Sequence, residues 1–229
     1  MKQRYLSLLE DLYLKNSNPA KAIPMKKYMK DRFEFCGISS IPRKEIYKEF
    51  FMANGLPETG DIEDIVKELW EMPQREYQYF ATFLFAKMIR KLDKDQISIF
   101  EFMIVNKSWW DTVDAIAINL VGPVLARDKN IIPAITGKWM DSGNMWLQRT
   151  SLLFQLNYKS GTDEKLLFSL IKKLSEREEF FIRKAIGWAL REYSKTSPGI
   201  VSEFITNTKL SPLSVKEGMR IILKSSNKV

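Results

Sequence analysis

Two groupings in this chain pair aromatic side chains with charges at a spacing that could do chemistry. In KSWWDTVD (Lys107 to Asp114), Trp110 and Asp114 stand four residues apart, so on a helix their side chains touch. A carboxylate held against an indole can stabilise developing positive charge or orient a water molecule. In FFIRKAIGWALREY (Phe180 to Tyr193), Trp188 lies between Lys184 and Arg191, a large aromatic between two cations. That pattern suits a nucleic-acid surface. A third residue, Arg149, sits in MWLQRTSLLFQLNYK among apolar neighbours, where an unpaired guanidinium would be costly. Its partner is either a protein carboxylate or a phosphate, and the residue pattern leaves both open.

The rest of the composition narrows the chemistry. The 229 residues contain no histidine. This excludes Ser-His-Asp and Cys-His nucleophiles, an HExxH zinc site and imidazole acid–base catalysis. There is also no CxxC pair, no GxGxxG after a strand and no phosphate-binding GxxxxGK loop. An enzyme made from this chain works with carboxylates, lysine, tyrosine or bound solvent, and neither a metal nor a cofactor is expected. The 36 Lys+Arg against 28 Asp+Glu give a net charge of +8, which suits a polyanionic partner, most commonly nucleic acid.

The single Cys36 excludes an internal disulfide framework and fits a reducing compartment. No apolar run approaches the about 18 residues of a membrane span. The opening MKQRYLSLLEDLYL carries Glu10 and Asp11 inside its apolar pattern, so it reads as an amphipathic helix and not a signal peptide. A soluble, cytoplasmic protein is expected, with a monomer as the simpler state.

Helices must position these residues, because almost every segment shows the helical period and none alternates like a strand. Caps and breakers place helices near 3–15, 19–30, 43–53, 61–71, 75–92, 95–105, 109–126, 131–140, 145–158, 163–174, 179–194, 199–206 and 212–225. The connections are short and punctuated, as at Gly55-Leu56-Pro57, Ser160-Gly161-Thr162 and Ser197-Pro198-Gly199. Second helices of successive pairs begin near 75, 109, 145, 179 and 211, a recurrence of about 34 residues typical of stacked helix pairs. The expected fold is an all-α solenoid of about six antiparallel helix pairs in a single domain, 1–229, with a concave binding face. An irregular helical bundle is the plainer alternative.

On the helix from 109, Ser108 and Asp111 match a capping box, with Ser108 as N-cap. Trp109, Val113, Ile116, Leu120 and Val124 form its apolar stripe, with Trp110 and Asp114 along the rim. Asp114 is then either half of a catalytic pair or a residue that faces solvent or a nearby arginine. On the helix from 179, Ile182, Ile186, Ala189, Leu190 and Tyr193 form the stripe, and Trp188 points well away from it. Trp188 therefore faces either nucleic acid or the next repeat. Gly187, costly inside a helix by about 1 kcal/mol, makes sense if another backbone approaches there.

The stretches PMKKYMKD (Pro24 to Asp31), ELW (Glu68 to Trp70), KSWWDTVD, WLQR (Trp146 to Arg149) and FFIRKAIGWALREY together resemble the AlkD family of DNA alkylation-repair glycosylases. The likeness runs along nearly the whole chain. It implies a HEAT-like repeat solenoid whose concave, basic face grips double-stranded DNA, and excision of cationic N3- and N7-alkylated purines without a conventional base-binding pocket. It also implies that Asp114 is the catalytic carboxylate, with Trp110, Trp188, Arg149 and Tyr28 near the lesion or the DNA. Arg149, Lys184 and Arg191 would hold phosphates. One departure from the family's pattern is visible: Ser39-Ser40-Ile41-Pro42 stands where the family has a threonine–proline turn, which puts that loop's DNA contact in question. A different class of reading is a non-catalytic helical-repeat scaffold that binds DNA or protein.

Overall fold

A computed structural model of the chain describes residues 2–226 and is all-α. Among the described residues, extended pairing is limited to one isolated bridge between Glu34 and Gln74. No helix of the described residues is long and apolar enough to cross a membrane. Contacts gather into two compact units, Met1–Asp93 and Lys94–Val229.

The first unit contains α1 (Lys2–Lys15), α2 (Pro19–Tyr28), α3 (Ser40–Asn54), α4 (Ile62–Glu71) and α5 (Arg75–Met88). Its core is aromatic. Phe80 meets Tyr47, Phe50 and Phe51 at ring distances of 5.2, 5.3 and 5.4 Å. Two buried polar side chains of α5 tie the connections to this core. Gln78 donates to the carbonyls of Leu69, Trp70 and Met72, satisfying the end of α4. The Glu76 carboxylate accepts from the backbone N–H groups of Cys36, Gly37 and Ile38, so the turn before α3 is fixed from beneath. The altered Ser39–Pro42 segment follows at once, with Ser39 the N-cap residue of α3 and Ser40, Ile41 and Pro42 in its first turn. By contrast, α2 buries none of its residues.

The second unit runs through α6 (Ile97–Val105), α7 (Trp110–Ile116), α8 (Gly122–Arg127), α9 (Ile132–Asp141) and α10 (Met145–Leu153). It continues as α11 (Glu164–Leu174), α12 (Phe180–Tyr193), α13 (Pro198–Thr206), α14 (Pro212–Gly218) and α15 (Arg220–Ser226). Across both units, second helices begin at Arg75, Trp110, Met145, Phe180 and Pro212, all within a residue of the positions the repeat predicts. The apolar stripes of α10, α11 and α12 meet in one core of Leu152, Leu153, Leu170, Ile171, Ile182 and Ile186.

The helix expected over 109–126 differs in two ways. Ser108 does not cap it: its hydroxyl turns back and donates to the Ile104 carbonyl at the end of α6, 2.6 Å away. The N-cap position falls on Trp109, without a side-chain cap. A hydroxyl between two helices can serve only one of them, and the exposed carbonyls of α6 win. Secondly, α7 and α8 are joined by a π-helical turn, Ala117–Val121. Pro123, two residues into α8, has no N–H to offer a preceding carbonyl and would crowd that turn. The wider π turn accommodates it. Gly122 completes the adjustment, since a Cβ there would stand 2.4 Å from the Phe154 carbonyl oxygen. The Tyr158 hydroxyl donates to the Gly122 carbonyl at 2.6 Å.

Candidate active site

The helices α7, α10 and α12 supply the groups with chemical capacity. α10 contacts both of the others, so side chains on their first turns and a half can meet. Arg149 reaches from α10 to α7 and makes a two-point contact with Asp114. Its Nε donates to Oδ1 at 2.7 Å and its Nη2 donates to Oδ2 at 2.8 Å. The remaining Nη1 donates to the main-chain carbonyl of Phe181 in the first turn of α12. The planar guanidinium fork matches a carboxylate in this way, where a lysine would offer only a point charge.

The pair is buried. The Asp114 side chain is 12% exposed and that of Arg149 only 5%. Burial pushes the Asp114 carboxyl above its ordinary value, against the hydrogen bond and charge of Arg149, which pull it down; Asp111 one turn earlier adds a further push upward. Each carboxylate oxygen gives one acceptor site to Arg149 and keeps another. The arrangement can therefore accept a hydrogen bond from a water molecule or face a developing cation. On the arginine's side stands a cluster of rings, with the Phe181 centroid 5.9 Å from the Arg149 guanidinium carbon. Trp109 and Trp146 have centroids 5.9 Å apart, and Phe181 packs 5.0 Å from each.

These positions answer several questions the sequence left open. Arg149 has a protein carboxylate as partner, and its guanidinium is not at the surface. Asp114, expected at the rim of its stripe, is buried against that arginine. Trp110, at the start of the same helix, is half-buried. Trp188 is half-buried and packs against the core of the second unit. Lys184 and Arg191 both turn to one acid of α14, Glu217, at 2.9 and 2.7 Å. Their side chains are 37% and 24% exposed, and that of Glu217 is 19% exposed. The hydrogen bond from Lys184 leads in holding the Glu217 carboxyl below its ordinary value. The close approach anticipated at Gly187 is there: a Cβ would stand 2.6 Å from the Glu217 Cβ and 3.1 Å from the Ser214 carbonyl oxygen. Tyr28 is 68% exposed at the end of α2 in the first unit.

Trp109, Trp146 and Phe181 form a ring cluster, reaching Arg149 through Phe181, that the sequence reading did not assign to the site. Their signal was positional: Trp109 directly precedes the first residue of its helix, and Trp146 and Phe181 are the second residues of theirs, so aromatic side chains recur near the start of three second helices. Cys36 is no alternative nucleophile, since burial, helped by Glu76, pushes its thiol up to about 12. Among the described residues, no group of three or more Cys, Asp or Glu side chains is arranged to hold a metal ion.

Comparison with known proteins gives these features a family. The model of a family described as DNA alkylation repair enzyme matches residues 9–222. A solved structure from Enterococcus faecalis, described as a predicted DNA alkylation repair enzyme, is 33% identical. The match covers 91% of this chain and 97% of that one, with a TM-score of 0.84. AlkD2 from Streptococcus mutans is similar in fold, with a TM-score of 0.60, 18% identity, and 82% and 91% of the two chains covered. No curated protein matches the chain. The chain belongs to the DNA alkylation repair enzyme family, and its helix pairs are HEAT-like repeats.

Proposed function

We propose that this protein is a monofunctional DNA glycosylase that hydrolyses the N-glycosidic bond of N3- and N7-alkylated purines in double-stranded DNA. The observation that carries the reading is the Asp114 carboxylate, buried yet still partly open, held at both oxygens by Arg149 in a chain of the alkylation repair family.

Alkylation at N3 or N7 makes the base cationic, so it departs with the bonding electrons as a neutral purine and needs little general-acid help. That suits a protein without histidine. As the bond to C1′ breaks, positive charge grows on the deoxyribose. The ionised Asp114 stabilises that charge and orients the water whose oxygen bonds to C1′ while its proton passes to solvent. Arg149 acts here as the holder of Asp114 and not as a phosphate ligand. Trp110 and Trp188 contact the lesion nucleotide, where cation–π attraction adds about 0.5–2 kcal/mol. Lys184 and Arg191, shared with Glu217, lend charge to the phosphate backbone, and Tyr28 adds a separate contact from α2. Binding is then strongly dependent on salt. The protein works as a cytoplasmic monomer with no cofactor.

Replacing Asp114 with Asn removes the charge and keeps the shape. Excision of 7-methylguanine from methylated duplex DNA is expected to vanish, while DNA affinity stays within a few-fold. Release of free base at the wild-type rate by Asp114→Asn would remove Asp114 from the reaction. Absence of release by the wild-type protein at stoichiometric amounts, without added metal, would leave a DNA-binding scaffold in its place.

A further inference from the structure

Arg149 is held from two sides, and only one of them is the acid. Asp114 takes Nε and Nη2, and the Phe181 carbonyl takes Nη1. That carbonyl reaches the arginine only if the first turn of α12 is correctly placed. The Phe181 ring is what meets the neighbouring helices at this point. It packs edge-on against Trp109, the N-cap residue of α7, with a centroid distance of 5.0 Å and an interplanar angle of 71°. It also lies 5.0 Å from Trp146, in the first turn of α10, and the Arg149 guanidinium carbon is 5.9 Å from its centroid. One half-buried ring thus touches the two segments that carry the acid and the arginine, while its own carbonyl closes the guanidinium's hydrogen bonds.

We infer, building on the glycosylase reading, that Phe181 is a positioning residue: its ring, set between Trp109 and Trp146, seats the first turn of α12 so that its carbonyl pins Arg149, and through Arg149 the Asp114 carboxylate. The charged groups that bear on this carboxylate are few. Asp111 lies on its own helix and Arg149 comes from α10. Glu101 of α6 is turned to Lys138 and the Trp139 indole on α9. What α12 presents is the Phe181 carbonyl, which does not titrate. If the ring is lost, the guanidinium gains freedom to leave the carboxylate, and burial then dominates Asp114 more fully. The acid accordingly takes up its proton at higher pH.

The test uses Phe181→Leu, which keeps an apolar side chain, and Phe181→Tyr, which keeps the ring. For Phe181→Leu, the single-turnover excision rate of 7-methylguanine at neutral pH is expected to fall on the order of tenfold to a hundredfold. The acid limb of its pH profile should move upward, while affinity for the alkylated duplex stays within about threefold, since the contacts to phosphate are untouched. Phe181→Tyr should restore both rate and profile. An acid limb that superposes on the wild type, or a loss of rate matched by an equal loss of DNA affinity, would overturn the assignment. The Asp114 carboxyl carbon, titrated by NMR in the DNA-free protein, separates this inference from the reading beneath it. An upward shift in Phe181→Leu supports positioning even if the wild type releases no base, and an unmoved titration refutes it. Should Phe181→Leu fail to fold, Trp146→Leu removes one wall of the same seat and must shift that titration in the same direction.

Discussion

Asp114 and Glu217, both in the second unit, each face basic side chains, yet their surroundings drive them in opposite directions. Asp114 meets one guanidinium with both its oxygens, in a place where acid and arginine are almost wholly cut off from water. There the loss of hydration outweighs the attraction, and the carboxyl is raised. Glu217 meets a lysine and an arginine, all three partly wet, and there the attraction leads and the carboxyl is lowered. Direct contact with a cation therefore does not by itself fix an acid's behaviour. Access to water and the number of cations decide whether the group is an unsettled charge suited to chemistry or a settled counter-ion.

The sharpest way to break this contrast is at Arg149. Arg149→Gln leaves Asp114 buried with no cation, and unfolding in urea should show a loss of about 3–5 kcal/mol at neutral pH, together with loss of excision. Part of that loss should return on acidification. An acid whose folded value lies above its unfolded one favours the folded state when protonated, and that favour disappears as pH rises through the folded value. A variant as stable as the wild type at neutral pH would mean that the pair carries no such tension. An intermediate effect is expected from Gly187→Ala, whose new Cβ would meet Glu217 and the Ser214 backbone. Forcing α12 and α14 apart should cost about 1–3 kcal/mol, read as a lower thermal midpoint. The smallest effect is at Glu217→Gln, no more than about 1 kcal/mol for a partly solvated ion pair. Here the sign is reversed. Glu217 lends stability above the ordinary carboxylate range and loses it as pH falls through its lowered value, so wild type and variant should converge in acid. Freeing Lys184 and Arg191 should also tighten duplex binding and steepen its salt slope by about one for each phosphate gained. A flat slope would show that these cations do not face DNA.

The helices were legible because apolar periodicity and short punctuated turns are local properties, and starts near 75, 109, 145, 179 and 211 follow from them. Gly187 was legible for a related reason: a glycine that weakens its own helix points to something close by. Partners across helices were not legible. The angular position of Arg149 says that it points inward, but not that Asp114, on a different helix, lies opposite. Likewise nothing near Lys184 or Arg191 announces Glu217, which arrives from α14. Trp188 lies off the Ile182–Tyr193 stripe, as expected, yet part of it packs against the neighbouring core because stacked repeats bury more than one face of a helix. Ser108 misled because a capping box has the same residues whether the hydroxyl serves the helix ahead or the one behind.

The π-helical turn at Ala117–Val121 has a bearing on how this protein tolerates length changes. A π turn holds an additional residue relative to an α-helix, so counting residues across it at α-helical spacing misplaces the faces by about 100° although the flanking helices stay in line. Asp114 lies before that turn, and the buried Leu120, Val124 and Leu125 lie within or after it. Deleting one residue here, such as the exposed Asn119, would tighten the π turn to an α turn and leave both flanks in line, whereas deleting one from the regular α-helical stretch on either side would turn the carboxylate away from Arg149 or the apolar residues away from the core. Orthologous chains that lack this additional residue should therefore also lack the proline at 123, which the wider turn accommodates.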